Sequence, residues 1–158
     1  WRLHTDTGEK LMAHVRKQIR DAAATLLAGL ATTGSNVFPT RLYPIGEGKL
    51  PGILVYTNSE SVEVVTLTRP RLMQRDLELV VEGVTKSSSN IDDQLDQIAL
   101  EIEEAMGSDQ TLGGLGKDVV LSSSEIEISA DGDQPVGAVR LTYLVRYMAK
   151  EDDLEVAL

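Results

Sequence analysis

Three aspartates at the start of a helical pattern come closest, by residue type and spacing, to a site that does chemistry. Asp92, Asp93 and Asp96 present carboxylate oxygens, the ligands that Mg²⁺ and Ca²⁺ prefer in proteins. A second interpretation needs no ligand, because acidic side chains in a first helical turn interact favourably with the helix dipole. We favour the second interpretation, and a metal-dependent enzyme stays a remote alternative.

Two glycine-rich segments match nucleotide-binding loops only in part. The segment 113–117 ends in Gly-Lys, but Thr111 stands where a P-loop has its first glycine and Asp118 where it has Ser or Thr. The segment 46–48 begins like a dinucleotide-binding loop, but Pro51 occupies the place of the third glycine. Both segments therefore predict connecting loops, and we expect no bound cofactor.

Residues that act as bases or nucleophiles near neutral pH are almost absent from this chain. It has no cysteine and two histidines, His4 and His14. The histidines are ten positions apart, and we expect both to be solvated. Because the serines then have no basic partner to activate them as nucleophiles, we expect no catalytic residues and no enzymatic activity.

The composition indicates one acidic domain. A chain of 158 residues is typical of a single domain, and no apolar run approaches the roughly 18 residues that a membrane-spanning helix needs. The formal net charge of −10 argues against binding to the phosphate backbone of nucleic acid. It favours a protein that nucleic acid can slide past. The absence of cysteine fits a reducing compartment.

Two segments carry apolar residues at helical spacing. The first helix is predicted to be capped by Asp6 and Glu9 and to end near Gly34. Its apolar face consists of Val15, Ile19, Ala22, Leu26 and Leu30. The second helix is predicted to end at Gly107, and its apolar face consists of Ile91, Leu95, Ile98, Ile102 and Met106.

Strand patterns follow the first helix. Residues 36–43 are expected to form an edge strand or a bulge, because Pro39 cannot donate a ladder hydrogen bond. Residues 52–57 form a short apolar run that predicts a buried strand. Residues 75–85 alternate between apolar and polar side chains, which predicts a half-buried strand.

The segment 58–74 gives a weaker signal. We expect a projecting arm or a long loop, with a short strand through Val62, Val64 and Val65 as an alternative. After the second helix, a strand containing Ile126 and Ile128 and a hairpin turn at 131–133 precede a last strand. The apolar face of that last strand consists of Val139, Leu141, Tyr143, Val145 and Tyr147.

The order of elements predicts an α+β fold with two layers. A mostly antiparallel sheet of about five strands should have the two main helices packed on one face. We expect residues 12–150 to form the single domain. Residues 1–11 are interpreted as an N-terminal extension, since Met12 is a candidate start, and 151–158 as an acidic tail that frays.

The basic residues fall into two groups, one on the first helix and one over residues 69–75. One interpretation is a solvated surface, and the other is contact with acidic surface on a neighbouring copy, such as the helix over 92–104. The segments 44–51 and 58–71 are further candidates for reaching a neighbour. The candidate interface residues are Arg16, Lys17, Arg20, Glu47, Lys49, Arg69, Arg71 and Arg75.

Several segments together resemble one family of viral proteins. The chain is similar, over residues 14 to about 148, to the tail terminator proteins of long-tailed bacteriophages, the minor tail protein U-like family. The resemblance is carried by HVRKQIRDA at 14–22, LATTG at 30–34, VF at 37–38, YP at 43–44, LPGILVYT at 50–57, IDDxLDxI at 91–98 and PVGxxRLTY at 135–143.

The resemblance implies an α+β subunit of a homo-hexameric ring. Such a ring caps the tail tube, ends its polymerisation and joins the tail to the head. The implied partners are copies of the chain itself, the major tail tube protein and a head-completion or neck protein. Genomic DNA would pass through without specific binding. The implied location is the head-proximal end of the virion's tail, after assembly in the host cytoplasm. Another head–tail connector or neck-completion protein is the alternative.

Overall fold

The computed structural model describes residues 13–42, 48–130, 132 and 134–158. In chain order these residues form α1 (Val15–Leu27), β1 (Val37–Phe38), β2 (Gly52–Val64), β3 (Leu72–Lys86), α2 (Ile91–Ser108), β4 (Asp118–Ser129) and β5 (Val136–Lys150). The strands make one sheet in the order β1-β2-β3-β5-β4, in which β1 runs parallel to β2 and every other pairing is antiparallel. The helices pack against this sheet, which confirms the predicted α+β fold.

Alternation along the two central strands builds the core. Every second side chain of β3 and β5 points toward the helices, and Leu77, Leu79 and Leu141 are fully buried there. The predicted faces of both strands are therefore confirmed. On α2 the predicted stripe is also confirmed, since its buried residues are Leu95, Ile98, Ile102 and Met106.

Two glycines let α2 approach the sheet closely. A Cβ atom placed on Gly83 of β3 would collide with the side chain of Ile98. A Cβ on Gly137 of β5 would lie 2.8 Å from Cδ1 of Leu95. These contacts place α2 directly over the β3–β5 pair, where any larger residue would have to push the helix outward.

The first helix differs from its prediction at both ends. α1 begins at Val15, and its N-cap is His14, whose Nδ1 accepts a hydrogen bond from the Arg16 backbone nitrogen at 3.0 Å. The predicted cap residues 6 and 9 lie outside the described residues. The helix ends at Leu27 and not near Gly34, because Gly29 adopts a φ of +88° and turns the chain.

The buried face of α1 is rotated slightly from the predicted stripe. Its fully buried residues are Val15, Ile19, Ala23 and Leu27. The predicted positions Ala22, Leu26 and Leu30 pack only at the border of the core. Steps of three and of four residues both stay on one side of a helix. The sequence therefore could not decide whether Ala22 and Leu26 or Ala23 and Leu27 continue the buried row after Ile19.

The segment 58–74 forms a hairpin instead of a loop. β2 continues to Val64 and pairs with β3 as far as Val64 opposite Met73, with one irregularity between Thr57 and Glu60. The alternative of strand structure is confirmed for Val62 and Val64, which belong to the long strand β2, whereas Val65 lies just beyond its end. The prediction of a projecting arm agrees with the hairpin. The strand expected over 36–43 shrinks to β1, two residues at one edge of the sheet.

The last segment of the chain packs against the core, so the prediction of a frayed tail is wrong. The backbone nitrogen of Val15 donates to the Leu154 carbonyl oxygen at 2.9 Å, and that of Leu158 donates to the Met148 carbonyl oxygen at 2.8 Å. The side chains of Leu154 and Ala157 cover part of the apolar cluster. Of the predicted turn at 131–133, only Gly132 is described, with a φ of +110°.

Candidate functional site

The three aspartates considered for metal binding lie on the exposed surface at the start of α2. Their side chains project from a regular helix and enclose no common space. Across the described ranges, no group of three His, Cys, Asp or Glu residues is arranged to hold a metal ion. Asp92 and Asp93 stand in the first turn of α2, where the helix dipole favours acidic side chains, and Asp96 lies one turn further along the exposed face.

The glycine-rich segment 113–117 belongs to a turn organised by Asp109. Its carboxylate accepts hydrogen bonds from the backbone nitrogens of Thr111 at 3.1 Å and Gly113 at 2.8 Å, and these bonds lower the pKa of Asp109. Leu112 inserts its side chain into the core with a φ of +49°. Within the segment the Gly113 amide bonds to Asp109, the amides of Gly114 and Gly116 bond to Thr111, and that of Lys117 bonds to the Arg146 carbonyl oxygen, so these amides serve the local turn and not an anion.

Two of the predicted interface cations belong to an intramolecular group that we call the Glu60 cluster: Glu60, Arg16, Arg75 and Tyr147. Oε1 of Glu60 accepts hydrogen bonds from Nη1 of Arg75 and from the Tyr147 hydroxyl, each at 2.8 Å. Nε of Arg16 lies 3.7 Å from Oε2 of the same carboxylate. The Glu60 side chain is 5% exposed and that of Arg75 15%, so this group is part of the core border.

Ionisation in the Glu60 cluster follows from burial and pairing. Burial acts to lower the pKa of Arg75, but the hydrogen bond to Glu60 and the surrounding charges outweigh it and raise that pKa. Burial, followed by the hydrogen bond to Glu60, raises the pKa of Tyr147 well above its ordinary value. The cluster therefore holds a charged pair and a neutral phenol together at the rim of the core.

The remaining candidate interface residues are dispersed. Lys17 pairs with Asp21 within α1, and Arg71 lies 3.5 Å from Glu151. Nζ of Lys49 lies 5.7 Å from the centre of the Phe38 ring. Glu47 lies outside the described residues. Arg20 and Arg69 make no ion pair with any described residue.

The face of the sheet opposite the helices carries a shallow cleft of about 510 Å³. Tyr56 donates a hydrogen bond to Glu82 at 2.9 Å, and Nε of Arg140 lies 3.5 Å from the same Glu82. Arg140 also approaches Glu125 and Glu127, and Arg41 lies over the Tyr56 ring. Arg140 thus lies near three carboxylates, although its buried Nε makes no hydrogen bond, and Arg41 donates to the Thr57 carbonyl oxygen. Most of the charged groups of the cleft are therefore engaged with neighbours on the sheet.

The sequence did not reveal that the tip of the β2–β3 hairpin is an exposed apolar surface. We call residues 62–73 the arm. Leu67 at its tip is 89% exposed, and the side chains of Val62, Val64 and Val65 are about half exposed. The alternation of Val62 and Val64 around Glu63 was the available signal, since it has the period of a strand with one apolar face.

The second missed surface lies on the edge strand. Leu121, Ile126 and Ile128 of β4 stand opposite Tyr143, Val139 and Gly137 of β5, and residues opposite one another share a face of the sheet. They therefore point to the side that the helices cover. Because α2 packs over β3 and β5, Ile126 and Ile128 remain 49% and 44% exposed. We call these three side chains of β4, with the adjoining side of α2, the β4 groove.

Among the described residues, neither helix combines the length and the apolar character needed to span a bilayer. Neither models of known protein families nor curated protein sequences match this chain.

Proposed function

We propose that this protein is a structural subunit of the tail of a long-tailed bacteriophage. It forms a ring that caps the tail tube, ends its polymerisation and provides the surface that joins the tail to the head. The sequence resemblance implies this role, and the α+β fold that it implied is the fold observed. The protein makes contacts and catalyses no reaction.

One observation supports this proposal most: exposed apolar side chains lie at two separate places on the sheet. The arm extends from the β2–β3 pair, whereas the β4 groove lies at the edge strand beyond β5. Contiguous exposed apolar surface on a folded protein marks sites of association. Two unlike surfaces support head-to-tail contacts, and contacts of that kind close into rings when the rotation between subunits allows.

The charge of the chain is compatible with a ring through which DNA passes. Six copies with a formal net charge of −10 each would carry about −60. Phosphates are held by clustered Lys and Arg, whereas most candidate cations here are already paired with carboxylates of the same chain. DNA would therefore move past the ring without being retained.

The proposal is tested by mixing the purified protein with growing tail tubes of the same virus. We expect tube elongation to stop, and negative-stain images to show a six-fold ring at one tube end. An unrelated protein of similar size and charge is the control for non-specific blocking. Elongation that continues at saturating protein, together with monomers only in both conditions, would refute the proposal.

The same preparation separates the tail terminator from a neck-completion protein. A terminator binds tube ends in the absence of heads, whereas a neck protein binds DNA-filled heads in the absence of tubes. We expect co-sedimentation with tubes. Co-sedimentation with heads alone would replace the terminator by the connector alternative.

A further inference from the structure

We infer that the arm of one copy lies in the β4 groove of the next copy. This inference rests on the proposed function and deepens it, because it names the two surfaces that would close the ring. The occupant of the groove is thus a second copy of this chain, and the contact is head-to-tail.

The arm is a hairpin with an apolar tip, which suits it to insertion into a groove. Its strands are held by the β2–β3 ladder up to Val64 opposite Met73, and the backbone nitrogen of Val65 donates to Leu72 at 2.8 Å. The tip is therefore a turn held by hydrogen bonds, and it exposes Leu67 to solvent. A braced tip loses little conformational entropy when it binds, which favours association.

The groove is apolar at its floor and acidic at its wall. Leu121, Ile126 and Ile128 form the floor. Glu101 of α2 accepts a hydrogen bond from the Thr32 backbone nitrogen at 2.9 Å, so its side of the helix faces the segment after α1, and the other side, which carries Glu103, is turned toward β4. Asp92 and Asp96 are exposed and lie on the same side of α2 as Glu103, because Asp96 follows Asp92 by four residues and precedes Glu103 by seven.

The two surfaces complement each other in polarity and in charge. The apolar tip of the arm matches the apolar floor of the groove. Arg69 has no ion pair within the described part of its own chain and stands two residues from Leu67. The wall of the groove offers three carboxylates to this guanidinium. Complementary charges of this kind fix the register of a contact and speed its formation.

The positions of the surfaces also fit a ring. The arm belongs to β2 and β3, and the groove to β4, which is the opposite edge of the sheet from β1. Copies related by a rotation can each pass the arm to a following copy until the last returns to the first. A reciprocal two-fold dimer, in which each arm enters the partner's groove, would give linked species that end at the dimer and would refute the ring.

Disulfide cross-linking tests the contact directly, because the chain has no cysteine of its own. Leu67→Cys chains are mixed with Ile128→Cys chains under mild oxidation, alone and with tail tubes present. We expect a linked dimer in the mixture and none in either variant by itself. Glu104→Cys, an exposed position on α2 away from the groove, replaces Ile128→Cys as the matched control and should give no link with Leu67→Cys.

A chain carrying both Leu67→Cys and Ile128→Cys reports ring closure. We expect a ladder of linked species that ends at the hexamer. A ladder that continues past six would leave the arm–groove contact in place and refute the closed ring of the proposed function. Rings visible by electron microscopy without any cross-link would refute the arm–groove contact alone, and monomers without cross-links would refute both.

Charge variants test the contact without new bonds. Leu67→Asp and Ile126→Asp should each abolish ring formation, and circular dichroism should show both variants folded, since both positions are exposed. Mixing them leaves one intact arm and one intact groove, so we expect dimers and no larger species. Rings from Leu67→Asp alone, or no dimer in the mixture, would overturn the inference.

Discussion

Replacing Glu60 by leucine removes one half of a buried ion pair and leaves the other half charged. Glu60 accepts hydrogen bonds from Arg75 and from Tyr147, each at 2.8 Å, and its side chain is 5% exposed. Arg75, with a side chain 15% exposed, would lose its nearest carboxylate. The Tyr147 hydroxyl would lose its acceptor in the same substitution.

The magnitude follows from the penalty for an uncompensated buried charge. Removing one partner of a buried pair typically costs about 3–5 kcal/mol, and the partial exposure of Arg75 places this case near 3 kcal/mol. A protein of 158 residues has an unfolding entropy of roughly 0.33 kcal/mol/K near its Tm, so the expected decrease in Tm is about 9 °C. The double variant Glu60→Leu/Arg75→Leu removes both charges and should recover to within about 1 kcal/mol of the parent.

Urea unfolding of the parent, the two single variants and the double variant measures these free energies and the coupling between them. Arg75→Leu should also cost about 3 kcal/mol, because it leaves the buried Glu60 carboxylate charged, so we expect a coupling energy of about 5 kcal/mol in magnitude. The pair Lys17→Ala and Asp21→Ala on exposed α1 is the control, with a coupling below about 0.5 kcal/mol. If Glu60→Leu changed the unfolding free energy by less than 1 kcal/mol, the Glu60 cluster would have to be solvated, and its description as part of the core border would be wrong.

Three further predictions concern stability. Burial, then the charge of Arg16, lowers the pKa of His14. Its capping bond needs a neutral imidazole, so the stability that this bond contributes should be complete above about pH 6.5 and should be lost as the pH falls below it. His14→Asn should remove this pH dependence in urea titrations. Gly83→Ala should lower the unfolding free energy by about 2 kcal/mol through its collision with α2, whereas Gly107→Ala, with nothing within 4 Å, should not lower it. Burial, then the charge of Glu103, raises the pKa of Tyr143 to about 12. The unfolding free energy should therefore be constant below pH 10 and should decrease by about 2–3 kcal/mol between pH 10 and 12. Tyr143→Phe should abolish this decrease.

Long elements with an unbroken period were predictable from the sequence. The stripe of α2 and the alternating faces of β3 and β5 keep one period over 15 or more residues, and each pointed to the correct buried face. Local signals were less reliable. His14 was expected to be solvated, but it caps α1, because its role depends on a backbone amide two residues away and not on any neighbouring side chain pattern.

Features that depend on register could not be read from the sequence. The stretch 58–61 is polar and resembles a loop, yet it is strand because β3 supplies the pairing. Once that pairing is known, Glu60 comes next to Arg75, 15 positions along the chain. The basic residues were therefore interpreted as candidate interface groups, while the structure gives most of them partners within the chain. Exposure of the apolar arm and groove also depends on which strands the helices cover.

The dimensions of the elements explain why an apolar arm exists at all. β3 has 15 residues and extends about 50 Å, whereas α2 with 18 residues reaches about 27 Å and α1 with 13 about 20 Å. The helices therefore cannot cover the sheet along its whole length. At the end of β5 the final segment covers it with Leu154 and Ala157. At the tip of the β2–β3 pair, Leu67 stays almost fully exposed. Edge strands normally carry charge or proline against association. The tip of the arm carries Arg69, Pro70 and Arg71 beside its four exposed apolar side chains, so the inferred arm–groove contact would depend on those apolar side chains.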